Sequence, residues 1–274
     1  NVPLNKIPAT RYVSEKPGLA DFSFEASGNV ADPRVEGSVL VRDIQLGGVD
    51  IEQIDTGRIV LNAEGARIEQ GSLTSGSYQV RFSGVAPFSL TRMAFVEGGE
   101  TAFVAELPGQ QMDILSLLTD RVDESRTQGE VVALLEASGA WPVVELNGYF
   151  RIADGTVAIK GMSTLLEKID IDVNLKGDTI SVDRFQVNSS DGGRLVVAGG
   201  AAVSDGTWIL NTTAKTRDFT LRFANITGKY DERFNGKLDL ALQALGPVGA
   251  PQISGRLTVH DASIGTTTLP EEEP

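Results

Sequence analysis

Strict two-residue alternation is the feature that most constrains this chain. In Ile169-Asp170-Ile171-Asp172-Val173-Asn174-Leu175 every odd position is apolar and every even position is Asp or Asn. Side chains leave a β-strand on alternate faces, so this pattern makes one apolar and one wet face. A helix would smear the same residues around its whole circumference. Leu238-Asp239-Leu240-Ala241-Leu242, Phe219-Thr220-Leu221-Arg222-Phe223 and Phe22-Ser23-Phe24 repeat the pattern. Further short runs with apolar residues at both ends lie at 39–41, 59–61, 80–82, 150–152, 157–159, 180–182, 185–187, 195–197 and 257–259. Turn-forming residues punctuate them: Gly47-Gly48, Gly98-Gly99, Lys176-Gly177-Asp178, Asp191-Gly192-Gly193 and Asp205-Gly206. Strands spaced about ten residues apart predict an all-β fold, a long antiparallel meander.

One stretch departs from this period. Met112, Leu115, Leu118 and Val122, then Val131, Leu134 or Leu135, and Ala137 follow helical spacing, with Gly139 as a stop. Asp113 early and Arg121 late suit the helix dipole. The spacing predicts one or two short amphipathic helices between Gln110 and Glu136, covering one end or edge of the sheet.

The chain also repeats itself. Gly28-Asn-Val-Ala-Asp-Pro33-Arg-Val-Glu-Gly37-Ser-Val-Leu-Val-Arg-Asp43 matches Gly246-Pro-Val-Gly-Ala-Pro251-Gln-Ile-Ser-Gly255-Arg-Leu-Thr-Val-His-Asp261 at a constant offset of 218. A degenerate middle copy, Gly148-Tyr-Phe-Arg-Ile-Ala-Asp154, lies 111 residues after Gly37–Asp43, with Pro142 two positions early. Asn62 and Gly65 recur as Asn174 and Gly177 at offset 112. The repeat divides one elongated domain into residues 28–139, 140–245 and the beginning of a third module at 246–274.

An open sheet must hide its apolar face by closing into a barrel, packing on a second sheet or curling on itself. About 18 to 20 strands at ~4.8 Å spacing would span about 90 Å. A module that repeats and brings no evident partner sheet favours a curled sheet with an apolar trough. Its lining is expected from Ile169, Ile171, Val173 and Leu175, from Ile180, Val182, Phe185 and Val187, and from Leu195 and Val197. Phe219, Leu221 and Phe223 with Leu238, Leu240 and Leu242 continue it. The other reading of the same alternation is a dry core, as in a structural β-solenoid or adhesin-like stalk.

Composition removes much enzyme chemistry. The 274 residues include no Cys and a single His, and 24 Lys+Arg against 37 Asp+Glu leave a net charge of −13. Thiolate clusters and disulfides are excluded, and an acidic surface repels phosphate backbones, so nucleic acid is not an expected partner. No cofactor or metal is expected, and the chain is read as a non-enzyme. Alternation puts His260 on the polar face as a solvated strand residue, without a pocket for base catalysis. Asp170, Asp172, Asp178 and Asp183 lack the spacing of an EF-hand loop. Gly98-Gly99 and Gly192-Gly193 precede no Lys-Ser/Thr pair and read as turns, not phosphate loops. The N-x-[ST] triplets at Asn188, Asn211 and Asn225 are short enough to arise by chance, and Trp141-Pro142 and Trp208 read as packing residues. A carbohydrate-active β-helix enzyme would need paired carboxylates in a cleft, for which no convincing pair stands out. No run of 18 apolar residues predicts a membrane helix, and no leader-like segment opens the chain. It reads as a segment or mature form of a longer protein, ending on Leu-Pro-Glu-Glu-Glu-Pro.

These features together resemble the TamB family within the AsmA-like group of bacterial envelope proteins. The likeness rests on the repeated G-x-x-x-x-P-x-x-x-G-x-[LV]-x-V segments and the strand stretch IDIDVNLKGDTISVDRFQVNSSDGGRLVVAGGAAVSDG (Ile169–Gly206), and it covers most of residues 18–265. The resemblance implies a taco-like curled sheet with a continuous hydrophobic groove, serving as a periplasmic conduit for phospholipid acyl chains between the inner and outer membranes. It also implies a longer, inner-membrane-anchored protein, and outer-membrane protein assembly with a barrel partner of the TamA type. The membrane helix of family members is not among these residues, nor is their usual chain end recognisable here.

Overall fold

A computed structural model describes residues 2–3, 18–29, 32–46, 49–76, 78–117, 119, 121–224 and 231–267. The expected turn at Gly47-Gly48, the helical position Leu118, the triplet at Asn225 and the terminal acidic tail lie outside the described residues. The fold is all-β, as the alternation requires. Among the described residues, a sixteen-stranded sheet and a separate two-stranded hairpin hold nearly all the regular structure. The chain divides into two compact units, residues 1–110 with 132–148, and residues 111–131 with 149–274.

The first unit contains β1 (Val2–Pro3), β2 (Leu19–Gly28), β3 (Pro33–Leu46), β4 (Val49–Asp55), β5 (Arg58–Asn62), β6 (Gly65–Ser75) and β7 (Tyr78–Ala86). The hairpin β8 (Phe88–Ser89) and β9 (Ala94–Phe95) follows, then most of β10 (Glu100–Gln111). The long β3 pairs with β4 near its end and with β5 near its start. The two shorter strands meet at Thr56, whose N–H and hydroxyl both bond Val39. Ala20, Ile44 and Ile51 form a buried core, with Val41, Val49, Ile54 and Leu73 packed against it.

The sheet continues through β11 (Gln128–Ala140) and β12 (Val143–Val157), strands that run through both units. The second unit adds β13 (Leu166–Lys176), β14 (Thr179–Ser189), β15 (Arg194–Ser204), β16 (Thr207–Ala224), β17 (Asp231–Pro247) and β18 (Gln252–Thr267). Neighbours in this series pair antiparallel, in five successive pairings from β13–β14 to β17–β18.

The expected helices are the main correction. Val131, Leu134, Leu135 and Ala137 lie in β11, and among the described residues of this stretch two 3-10 segments, Met112–Leu117 and Glu124–Arg126, break the strand pattern. An isolated helix of two or three turns is marginal because its nucleation is unfavourable. Here the backbone has a better outlet: residues 121–123 pair with 158–160 through Asp123 N–H to Ala158 O and Lys160 N–H to Arg121 O. Met112 is the anchor, buried where Gly155 and Gly129 leave room for its sulfur; a Cβ at residue 155 would stand 2.3 Å from Sδ.

The repeated segments coincide with three hairpins, β2–β3, β11–β12 and β17–β18. Their second glycines share one environment: a Cβ on Gly37, Gly148 or Gly255 would fall 2.1, 2.2 or 2.0 Å from a carbonyl oxygen of the preceding strand. Their closing residues share one conformation, since Asp43, Asp154 and Asp261 all have positive φ (56°, 49° and 51°). Asp tolerates this left-handed region better than most residues. Gly139, read from sequence as a helix stop, stands nine residues before Gly148, as Gly28 stands before Gly37 and Gly246 before Gly255.

Candidate apolar face

The strand register decides whether the sixteen expected lining residues share a face, because residues directly opposite on paired strands point the same way. Leu175 is opposite Ile180, Val173 opposite Val182, and Ile171 opposite Phe185. Val187 is opposite Leu195, which continues across Thr216 and Leu240 to Leu257. Val197 leads through Ala214 to Leu242, and Phe219 leads through Leu238 to Val259. Leu221 and Phe223 lie opposite Gly236 and Phe234.

Simple alternation would have split this set. Val182 and Phe185 are three positions apart, as are Thr216 and Phe219, so in a regular strand each pair would face opposite ways. Register shifts between Asp172 and Val173, between Val182 and Gln186, and between Thr216 and Phe219 restore them to one side. Asp218, at φ 51°, is the left-handed residue within the last of these bulges. The runs read separately at 180–182 and 185–187 are therefore one bulged strand.

Burial along this face is graded. Ile169, Val187 and Phe219 are buried, and the other expected lining residues are half-buried. The buried three accompany an end where the segment Ala158–Leu165 passes the β14–β15 turn and bonds β16. Ser163 N–H donates to Arg222 O, and Arg222 N–H donates to the hydroxyl of the fully buried Thr164. On β18 the same face is open: Leu257 is 58% exposed and Ile253 67%. The lining is not uniformly aliphatic, since Thr212, Thr216 and small residues such as Gly199 and Ala214 interrupt it.

The opposite face carries the charges, though not only acidic ones. Asp172 pairs with Arg151, Asn174 donates to both Asp172 and Asp183, and Asp170 accepts the N–H of Asp154; among the described residues these acids form no group of three with metal-ligating spacing. Arg194, Lys215, Arg217 and Arg256 meet Asp239 around a shallow depression of about 640 Å³. No sequence motif announces it, because its residues come from four strands. His260 lies on the polar face, opposite Lys237, with its side chain 33% exposed. Its ring is half-buried between carboxylates, 3.5 Å from each of Asp218, Asp239 and Asp261.

The aromatic and glycine readings keep their structural sense. Trp141 stacks on Phe95 with ring centroids 4.7 Å apart and exchanges backbone hydrogen bonds with Gly98 and Gly99. Gly193 sits in the β14–β15 turn, where a Cβ would meet the backbone of Phe219. Among the described residues no helix is long and apolar enough to cross a membrane. No family model, curated protein or solved structure matches the chain.

Proposed function

We propose that the second unit carries phospholipid acyl chains along the apolar face of β13–β18, as a non-enzymatic periplasmic conduit of the kind the TamB resemblance implies. The observation that carries this reading is the one-sided register of the lining combined with its incomplete burial. A dry sandwich core would leave such residues nearly inaccessible, whereas most of these retain contact with solvent. Each methylene laid on the face gains at most about 0.8 kcal/mol. Chains that bind through many small contacts can slide, because no position holds them strongly. The charged opposite face and the net charge of −13 keep such a sheet dispersed in water.

The test is lipid retention by the purified chain. Mass spectrometry of protein isolated without detergent is expected to show co-purifying phospholipid, and Val173→Asp is expected to remove it while leaving the far-ultraviolet circular dichroism of the sheet unchanged. Retention of lipid by folded Val173→Asp, or absence of lipid from the unaltered chain, would favour the dry-core stalk.

A further inference from the structure

Three successive strands bring Asp218, Asp239 and His260 together on the polar face. Nε2 of His260 stands 3.5 Å from Oδ1 of Asp218 and 3.5 Å from Oδ1 of Asp239. Among the described residues this is the one trio of metal-ligating side chains with donor atoms all within 4.8 Å of one another. The Nε2 atom is itself buried and makes no hydrogen bond of ordinary geometry, and 3.5 Å is long for an N–H···O contact. If Nε2 lacks a proton, its lone pair faces two anionic oxygens; if it carries one, that proton is too far from either for a good bond. A cation at the centre satisfies all three atoms.

The surroundings resemble an outer shell. Nδ1 of His260 faces Asp261 Oδ2 at 3.5 Å, and that carboxylate is held by Lys237 Nζ at 2.8 Å. Asp239 Oδ1 accepts the Asp218 backbone N–H at 2.7 Å, which fixes its orientation. Left-handed bulge residues, Asp218 on β16 and Asp261 on β18, flank Asp239 on the strand between them. In histidine metal sites a carboxylate behind the ring sets the tautomer of the other nitrogen; Asp261 stands on that side of His260, at a separation longer than an ordinary hydrogen bond.

We propose that Asp218, Asp239 and His260 bind one Zn²⁺ ion that ties β16, β17 and β18 together on the face opposite the apolar lining. Zinc bonds to imidazole and carboxylate are about 2.0–2.2 Å, so tetrahedral donors stand roughly 3.4 Å apart, close to the two histidine–aspartate separations. Imidazole in the donor set selects against Ca²⁺ and Mg²⁺, which take oxygen ligands. Three protein ligands leave the fourth position to water.

The test uses the tag-free full chain, stripped with chelator, because His260 is its only histidine and gives unique imidazole resonances. Zn²⁺ titration is expected to saturate at one equivalent, shift those resonances and raise the melting temperature. Co²⁺ is expected to give the visible absorption of a tetrahedral site. His260→Gln and Asp239→Asn are each expected to weaken Zn²⁺ binding by roughly tenfold or more, and Asp178→Asn to leave it unchanged. Unmoved imidazole resonances at one equivalent, equal affinity in His260→Gln, or displacement of Zn²⁺ by equimolar Ca²⁺ or Mg²⁺ would overturn the assignment. The resonance measurement needs no variant, so it stands even if a substitution disturbs folding.

Discussion

Leu240 lies midway along β17, between Thr216 on β16 and Leu257 on β18, and it is half-buried. The consequence of Leu240→Asp depends on whether this face is open. On an open face the change forfeits most of a leucine's burial, roughly 1.5 kcal/mol. A lost cross-strand apolar pair adds about 0.2–1 kcal/mol, and the weak strand preference of Asp adds up to about 1 kcal/mol. The total is about 2–3 kcal/mol. In a closed core the same substitution would strand a carboxylate away from water, which costs more than all of these together. Phe219, 5% exposed at the end bounded by Ala158–Leu165, supplies the closed reference. Truncating a buried Phe costs about 3–5 kcal/mol before any charge is added. Urea unfolding of lipid-free protein, followed by circular dichroism, compares the midpoints of the two variants. Leu240→Asp is expected to shift the midpoint modestly, with an unchanged slope, and Phe219→Asp to shift it far more or abolish folding. Equal, large losses at both positions would refute the open face.

Other outcomes follow from the same geometry. Asp154 is left-handed at φ 49°, so Asp154→Val is expected to cost about 1–2 kcal/mol, whereas Asp154→Gly relieves the strain and stays near neutral in the same urea assay. Acid will erode stability in part through Glu36, which the Arg58 and then the Arg34 guanidinium hold below the usual carboxylate range. Between its ordinary pKa and that lowered value the unfolded chain binds more protons. The contribution is therefore complete above the ordinary pKa and disappears as pH falls through the lowered one. Melting temperatures measured from neutral pH down to strongly acidic pH are expected to fall less steeply in Arg58→Met than in the unaltered chain.

Much of this fold was legible because period-2 patterning reports on the backbone directly. Ile169 to Leu175, and Leu238 to Leu242, needed only alternation to be placed on a face. Val182 with Phe185, and Thr216 with Phe219, needed the bulges as well, and no residue code marks a bulge reliably; Asp218 is its one local hint. The stretch from Gln110 to Glu136 misled because short apolar spacings fit both periods, and tertiary pairing with residues 158–160 decided between them. Gly139 was hidden by that same reading, although its nine-residue spacing to Gly148 was visible. His260 illustrates the remaining limit: alternation places it on the polar side, but the company of Asp218 and Asp239 depends on pairing across three strands.

The central claim, a lipid-bearing apolar face, is tested most directly by neighbours that point opposite ways. Leu242 lies on the apolar face and Ala241 on the polar one, one residue apart in β17. A photo-crosslinking amino acid placed at either position in the full chain, irradiated in cells and followed by mass spectrometry, reads lipid contact with face resolution. The account predicts phospholipid adducts at 242 and none at 241; no adduct at 242, or equal adducts at both, would contradict it.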